Sequence, residues 1–105
     1  MKVLHAGNMV NFAYVLVKKL RSDGIDSELL MNTNPHPSSD PKLYDSFLNN
    51  SYPNWIKFYD TKKNMWHLDI IKTMRNNYDL IHCYVELPIF AYFTNRKFIV
   101  TTQGS

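Results

Sequence analysis

The sequence holds a single cysteine in 105 residues, Cys83, set inside a short apolar run. An internal disulfide is excluded, no oxidising compartment is needed, and the thiol reads as a small apolar core residue. Long apolar runs are missing as well, none approaching the ~20 residues that cross a bilayer. At 45% hydrophobic and 14% aromatic residues, the composition is that of an ordinary soluble domain with no disordered tail. A strand begins at once, at Lys2-Val3-Leu4-His5-Ala6. That leaves no room for the charged and apolar regions of a signal peptide and points to the cytoplasm. Charge of one sign is scarce: a dispersed net charge of +3 makes no basic stripe, so nucleic acid is not an expected partner.

Several site chemistries are missing too. No Gly-x-Gly-x-x-Gly follows the first strand and no Gly-x-x-x-x-Gly-Lys-Ser/Thr occurs anywhere, which removes the dinucleotide fingerprint and the phosphate loop. The first strand ends in Ala6-Gly7-Asn8 rather than in clustered aspartates that could hold magnesium. His5, His36, His67 and His82 stand at no ligand spacing, so neither a metal nor a cofactor is expected. His5 and His82 fall inside predicted neighbouring strands. They read as hydrogen-bonded core histidines rather than catalytic ones, because buried polar groups are normally satisfied.

What is present alternates strand and helix. After the first strand, Phe12, Val15, Leu16 and Leu20 recur at helical spacing, with Ala13 and Val17 widening the stripe. They predict a helix from about Val10 to Ser22, with cations in its last turn and Gly24 ending it. Ile25 to Met31 is the next strand, with Ile25, Leu29 and Met31 on one face and Asp26, Glu28 and Leu30 on the other, a half-polar pattern expected near a sheet edge. Asn32 to Pro41 contains three prolines and reads as an exposed, mobile loop in which helix is forbidden. From Lys42 to Asp60, Leu43, Phe47 and Leu48 suggest a short helix followed by irregular structure; Trp55 to Tyr59 fits either strand or helix by periodicity. Thr61 to Arg75 is a helix with Trp66, Ile70, Ile71 and Met74 on its inner face, capped by Thr61 or Asn64. Asp79 to Cys83 and Phe98 to Thr102 are buried parallel strands. They are joined through Glu86-Leu87-Pro88 and a short helix over Ile89 to Phe93.

This order implies an α/β fold, a doubly wound Rossmann-like parallel sheet with right-handed crossovers. With the first strand central and its two neighbours on opposite sides, the strand order reverses between it and Asp79 to Cys83. Ligands of such sheets bind at that crevice, beyond the carboxyl ends of the strands. The candidate substrate-binding residues are therefore Gly7, Asn8, Tyr84, Glu86, Gln103, Gly104 and Ser105, with no catalytic residue named. Gly7-Asn8 could offer backbone N–H groups and an amide to a sugar or phosphate, or simply make the turn and cap the helix. Glu86 could accept hydrogen bonds from ligand hydroxyls, although capping the helix that starts at Pro88 is the better reading. Gln103-Gly104-Ser105 has hydrogen-bonding groups beside a small residue, or is an interrupted loop.

Met1-Lys2-Val3-Leu4-His5-Ala6-Gly7-Asn8 with its helix, Tyr78-Asp79-Leu80-Ile81-His82-Cys83-Tyr84, and Phe98-Ile99-Val100-Thr101-Thr102-Gln103-Gly104-Ser105 together resemble the start of family 4 glycosyltransferases. That family has the two-lobed GT-B fold. The resemblance implies that residues 1–105 are an incomplete amino-terminal, acceptor-side lobe and that the carboxyl-terminal lobe, which grips the nucleotide-sugar, is absent. It implies an enzyme that moves a sugar from a nucleotide-sugar donor to a sugar or lipid-linked acceptor without a metal, and a chain inactive alone. Tyr84 and Gln103 stand where the common pattern has histidines, so no histidine role carries over to them.

The alternative is a small Rossmann-like binding or interaction module. Adjacent sequence with Asp-Leu-Arg-like residues and a later Glu-x-x-x-x-x-x-x-Glu would favour the transferase. Two further expectations follow. A sheet ending at the last strand exposes an edge and invites self-association. The aromatic stretch Tyr52 to Trp66, with Lys57, Lys62 and Lys63, has the chemistry of a peripheral contact with the inner membrane face, or its rings pack over the sheet.

Overall fold

The computed structural model describes residues 1–8, 11–45, 48, 51–76, 78–84, 94 and 97–101. Its strands are β1 (Lys2–Ala6), β2 (Asp26–Asn32), β3 (Ile56–Tyr59), β4 (Leu80–Tyr84) and β5 (Phe98–Thr101). Its helices are α1 (Phe12–Ser22), a 3-10 turn at Pro37–Ser39, α2 (Pro41–Tyr44) and α3 (Trp66–Met74). The strands form one sheet in the order β3-β2-β1-β4-β5, and every pairing is parallel. This is the Rossmann-like arrangement that the alternation of elements implies, with the order reversing between β1 and β4. The predicted short helix over Ile89 to Phe93 lies outside the described residues.

Strand alternation divides the core in two. Leu4, Ala6, Leu30, Ile81 and Cys83 pack with Ile70 and Met74 of α3, flanked by Tyr59, Trp66 and Phe98. On the other face Leu29, Met31, Ile56 and Tyr84 pack with Ala13, Tyr14 and Val17 of α1, flanked by Leu48, Tyr52 and Trp55. Helices on both faces hide both sides of β1, which is why that strand reads as a nearly continuous apolar run.

Four expectations are corrected. Trp55 to Tyr59 is not irregular: residues 56–59 form the edge strand β3. The open side of β2 needs backbone partners, and the Leu29 and Thr33 N–H groups donate to the Trp55 and Tyr59 carbonyls. Strand β2 lies next to this edge strand, as its half-polar pattern implies, but its bounds differ. Its span starts at Asp26, leaving Ile25 outside and exposed, and Ser27, Leu29, Leu30 and Met31 are buried. The proline-rich segment does contain helix, because Pro37 and Pro41 occupy first-turn positions where a missing N–H costs nothing. Pro41 is fully buried rather than exposed. Finally, α3 starts after Met65, a left-handed residue without a side-chain cap, so neither Thr61 nor Asn64 caps it.

The stripe of α1 is also rotated from its expected position. Ala13, Tyr14 and Val17 are buried, whereas Phe12 and Val15 are 46% and 62% exposed. Tyr14 can turn inward because its hydroxyl donates to the Asp45 carboxylate at 2.6 Å. The other end closes as expected. Gly24, at φ 84, lets its own N–H and that of Ile25 reach the Arg21 and Leu20 carbonyls, the hydrogen-bond pair of a Schellman stop.

Leu30 is fully buried between β1 and β3 in the α3-side core. Leu30→Ala is expected to cost about 2–5 kcal/mol, the usual range for emptying such a site. Urea denaturation followed by circular dichroism measures it, and a loss below about 1 kcal/mol would contradict this packing.

Candidate functional site

Ala6 and Cys83 are register partners, so Gly7 and Tyr84 leave the sheet at the same level, on the two sides of the point where strand order reverses. Gly7 turns with φ 104, a conformation that favours glycine, and its N–H donates to the Leu30 carbonyl at 2.8 Å. The carboxamide of Asn8 follows. Its Nδ2 donates to Asn11 Oδ1 and to the Ser39 carbonyl, both at 2.9 Å, and its Oδ1 accepts from the Tyr14 N–H. The helix-capping role of Asn8 is therefore realised, although Asn11 is the residue at the cap position. Asn11 itself is left-handed at φ 60, and its Nδ2 reaches toward the Ser38 and Asp40 carbonyls. These bonds bring the Pro37–Tyr44 segment to the mouth of the crevice, although the sequence reads as an exposed loop as far as Pro41.

Beneath that corner lies a polar group on the α1 side of the sheet. His5 and His82 are register partners on adjacent strands, and strand alternation puts Tyr84 on the same face as His82. The Tyr84 hydroxyl lies 3.2 Å from Nδ1 of His5 and 3.2 Å from Nδ1 of His82. The His82 and Tyr84 rings stack with centroids 4.4 Å apart, and Phe12 meets Tyr84 edge-on at 6.1 Å. Both histidines are thus hydrogen-bonded, as expected of core residues. His5 is not fully satisfied, however: it is 3% exposed, and its Nε2 has no partner.

The electrostatics follow from burial. Desolvation, then the neighbouring His82, lowers His5 to about 4, and desolvation lowers His82 as well. Both rings are neutral at pH 7. Burial raises the Tyr84 phenol to about 12, so it keeps its proton and can donate. Burial also pushes the Cys83 thiol up to about 12, and Cys83 faces the apolar α3 side. It is no nucleophile at neutral pH, since the thiolate is the reactive form. Among the described residues no group of three or more His, Cys, Asp or Glu side chains could hold a metal ion.

Of the sequence-derived candidates, Gly7, Asn8 and Tyr84 are brought together around this corner. Glu86, Gln103, Gly104 and Ser105 lie outside the described residues. His5 and His82, as members of the site, were missed by sequence reasoning, which read both as core histidines. The available signal was the prediction of adjacent strands with a histidine in each, combined with the two-residue spacing of His82 and Tyr84. A separate groove of about 520 Å³ lies at the far, amino-terminal end of the sheet, between Ile56 and Lys57 of β3 and Lys72 and Thr73 of α3. No family model, curated protein or solved structure significantly matches the chain.

The buried histidine makes stability depend on pH with a definite sign. The unfolded chain takes up a proton at His5 near 6.5, whereas the folded chain resists until about 4. The contribution is whole above about pH 6.5 and is lost as pH falls toward about 4, by on the order of 2–3 kcal/mol. His82 acts in the same direction. Urea midpoints measured across this interval should fall with pH in the wild type and fall less in His5→Leu. An identical decline in both proteins would remove His5 as its cause.

Proposed function

We propose that the chain belongs to the acceptor-side lobe of a two-lobed glycosyltransferase, binding a sugar or lipid-linked acceptor at the β1/β4 crevice while a separate lobe holds the nucleotide-sugar. The observation that carries the reading is the chemistry of that crevice. Imidazole and phenol groups sit beneath the point where the strand order reverses, a chemistry suited to hydrogen bonding with hydroxyls. The glycine fingerprint that would cradle a diphosphate is missing from the first turn. The resemblance of the three strand segments to family 4 glycosyltransferases supports the same assignment. No helix among the described residues is long and apolar enough to cross a membrane.

A peripheral contact with an anionic lipid surface through residues 52–66 belongs to this reading. Lys57, Lys62 and Lys63 are exposed there. Trp55 stacks on Tyr14 in the α1-side core and Trp66 on Tyr59 at the α3-side core. The lysines, not the tryptophans, would carry such a contact.

The test uses the chain itself. Titration of ¹⁵N-labelled protein with simple methyl glycosides should shift the amide signals of Gly7, Asn8 and Tyr84, while UDP-glucose and GDP-mannose leave them unchanged. Glu86→Gln should weaken the glycoside response about tenfold, the worth of one charge-assisted hydrogen bond. Shifts at these residues from the nucleotide-sugars, with none from any glycoside, would overturn the acceptor-side assignment.

A further inference from the structure

Strand β3 stands at one end of the sheet, so only one of its two backbone edges is used. The Leu29 and Thr33 N–H groups donate to the Trp55 and Tyr59 carbonyls, so residues 55, 57 and 59 turn their backbone groups toward β2. Ile56 and Phe58 therefore turn theirs outward. The Ile56 N–H is taken by the Pro53 carbonyl at 3.2 Å, which leaves the Ile56 carbonyl and both backbone groups of Phe58 facing away from the sheet. The groove of about 520 Å³ lies against this strand. Ile56, Lys57 and Phe58 all line it although their side chains alternate between faces, so it runs along the β3 backbone, with Lys72 and Thr73 of α3 as the opposite wall.

Register gives each side of the strand its own chemistry. Lys57 is the partner of Leu30 and points to the α3 face. Phe58 is the partner of Met31 and points to the α1 face, where it meets Tyr52 at 5.0 Å and stays 37% exposed. Across the groove Lys72 adds a second ammonium. Among the described residues neither amine pairs with a carboxylate, and Lys57 reaches the Asn54 carbonyl at 3.4 Å. The carboxylates of β2 are engaged elsewhere: Glu28 accepts from the Tyr78 hydroxyl and lies 3.7 Å from Lys2, and Asp26 lies 3.9 Å from Arg21. The groove carries positive charge with no counter-charge of its own.

We propose that this groove binds an extended peptide in which acidic and apolar residues alternate, added to the sheet as a further strand beside β3. Its backbone bonds to the Phe58 N–H and to the outward carbonyls of Ile56 and Phe58. Its acidic side chains, at every second position, fall on the α3 face against Lys57 and Lys72, and the apolar ones between them fall on the α1 face against Phe58. Main-chain bonds supply the affinity and the side-chain contacts choose the sequence. A lysine on an edge strand deters pairing with basic or apolar strands. Here it makes the edge selective for acid rather than closed. The groove lies at the opposite end of the sheet from the β1/β4 crevice, so the proposal is independent of the acceptor-side reading.

The probe is the blocked peptide acetyl-Glu-Val-Glu-Val-Glu-amide, titrated into the ¹⁵N-labelled chain. Binding should move the Phe58 amide signal and slow the exchange of that amide with water, because its N–H gains a partner. The double variant Lys57→Glu, Lys72→Glu changes two exposed side chains and leaves the core alone. It should bind the peptide about tenfold more weakly, as the loss of two exposed ion pairs implies, and should prefer a peptide with lysine in place of each glutamate. Methylating the backbone nitrogens of the acidic peptide should abolish binding with its charge unchanged. Equal binding of the methylated peptide, or a Phe58 amide that exchanges as fast with the peptide as without it, overturns strand addition. Phosphatidylserine vesicles that bind the wild type and not the variant, with no response to the peptide, overturn it too and give the groove to a lipid surface. None of these results bears on the glycoside titration at Gly7, Asn8 and Tyr84.

Discussion

The carboxamide of Asn8 decides where the first helix begins and therefore what lies over the crevice. Its oxygen takes the Tyr14 N–H, one of the first-turn donors that a helix leaves without internal partners. Asn11 at the cap position supplies no capping bond of its own. The Asn8 nitrogen spends both hydrogens on Asn11 and on the Ser39 carbonyl, so a single side chain ties together the turn after β1, the start of α1 and the segment before α2. The next links depend on it. Asp40 caps α2 and accepts from the Tyr52 hydroxyl, and Asp45 accepts from Tyr14 and Lys18. Such a network is worth more than its separate bonds because each fixes the geometry of the next. A ligand at Asn8 would have to work through its backbone or displace one of these partners.

Below that corner the sheet accepts a cost that an apolar core would avoid. Paired positions on the two central strands carry histidines, and one ring nitrogen stays enclosed without a bond. Leaving a buried polar atom unpaired typically costs about 1–3 kcal/mol. Ser27 Oγ is the other such side-chain atom among the described residues, but it stands alone, whereas His5 is bonded into a three-member group at the carboxyl ends of the strands. Local departures from the best packing tend to collect at working sites.

How much of this the sequence discloses depends on the range of the forces concerned. Strands β1, β4 and β5 announce themselves as short β-branched or apolar runs, α3 as a clean helical stripe, and the end of α1 as a glycine. These are local signals. Strand β3 is four residues long, too short for periodicity to separate it from helix, and it exists because β2 offers an unpaired edge. The proline segment was misread for the same reason. Prolines at first-turn positions start helices, but which prolines hold those positions is decided by contacts with Asn8 and Asn11, far away in sequence. Within the site, Gly7, Asn8 and Tyr84 followed from topology alone, because the switch point is a property of strand order. The part played by His5 did not, since it depends on register: a shift of one residue between β1 and β4 would send His82 and Tyr84 to the opposite face.

Crossover handedness accounts for the one-sided exposure of the histidine pair. Right-handed connections from β1 to β2 to β3 run one way across the sheet, and the connection from β3 to β4 returns, so α1 and α3 fall on opposite faces. Helix α1 covers β1 and β2 and encloses His5. On that same face, no described element crosses β4 and β5. His82 is accordingly half-buried and Ile99 beside it is 49% exposed. Phe12 and Val15 line the adjoining side of α1 and are exposed as well. The boundary between covered and uncovered sheet therefore runs between the two histidines, and Tyr84 bridges it. A substitution that enclosed His82 as fully as His5 would add a second desolvated imidazole to the cost that the sheet already bears.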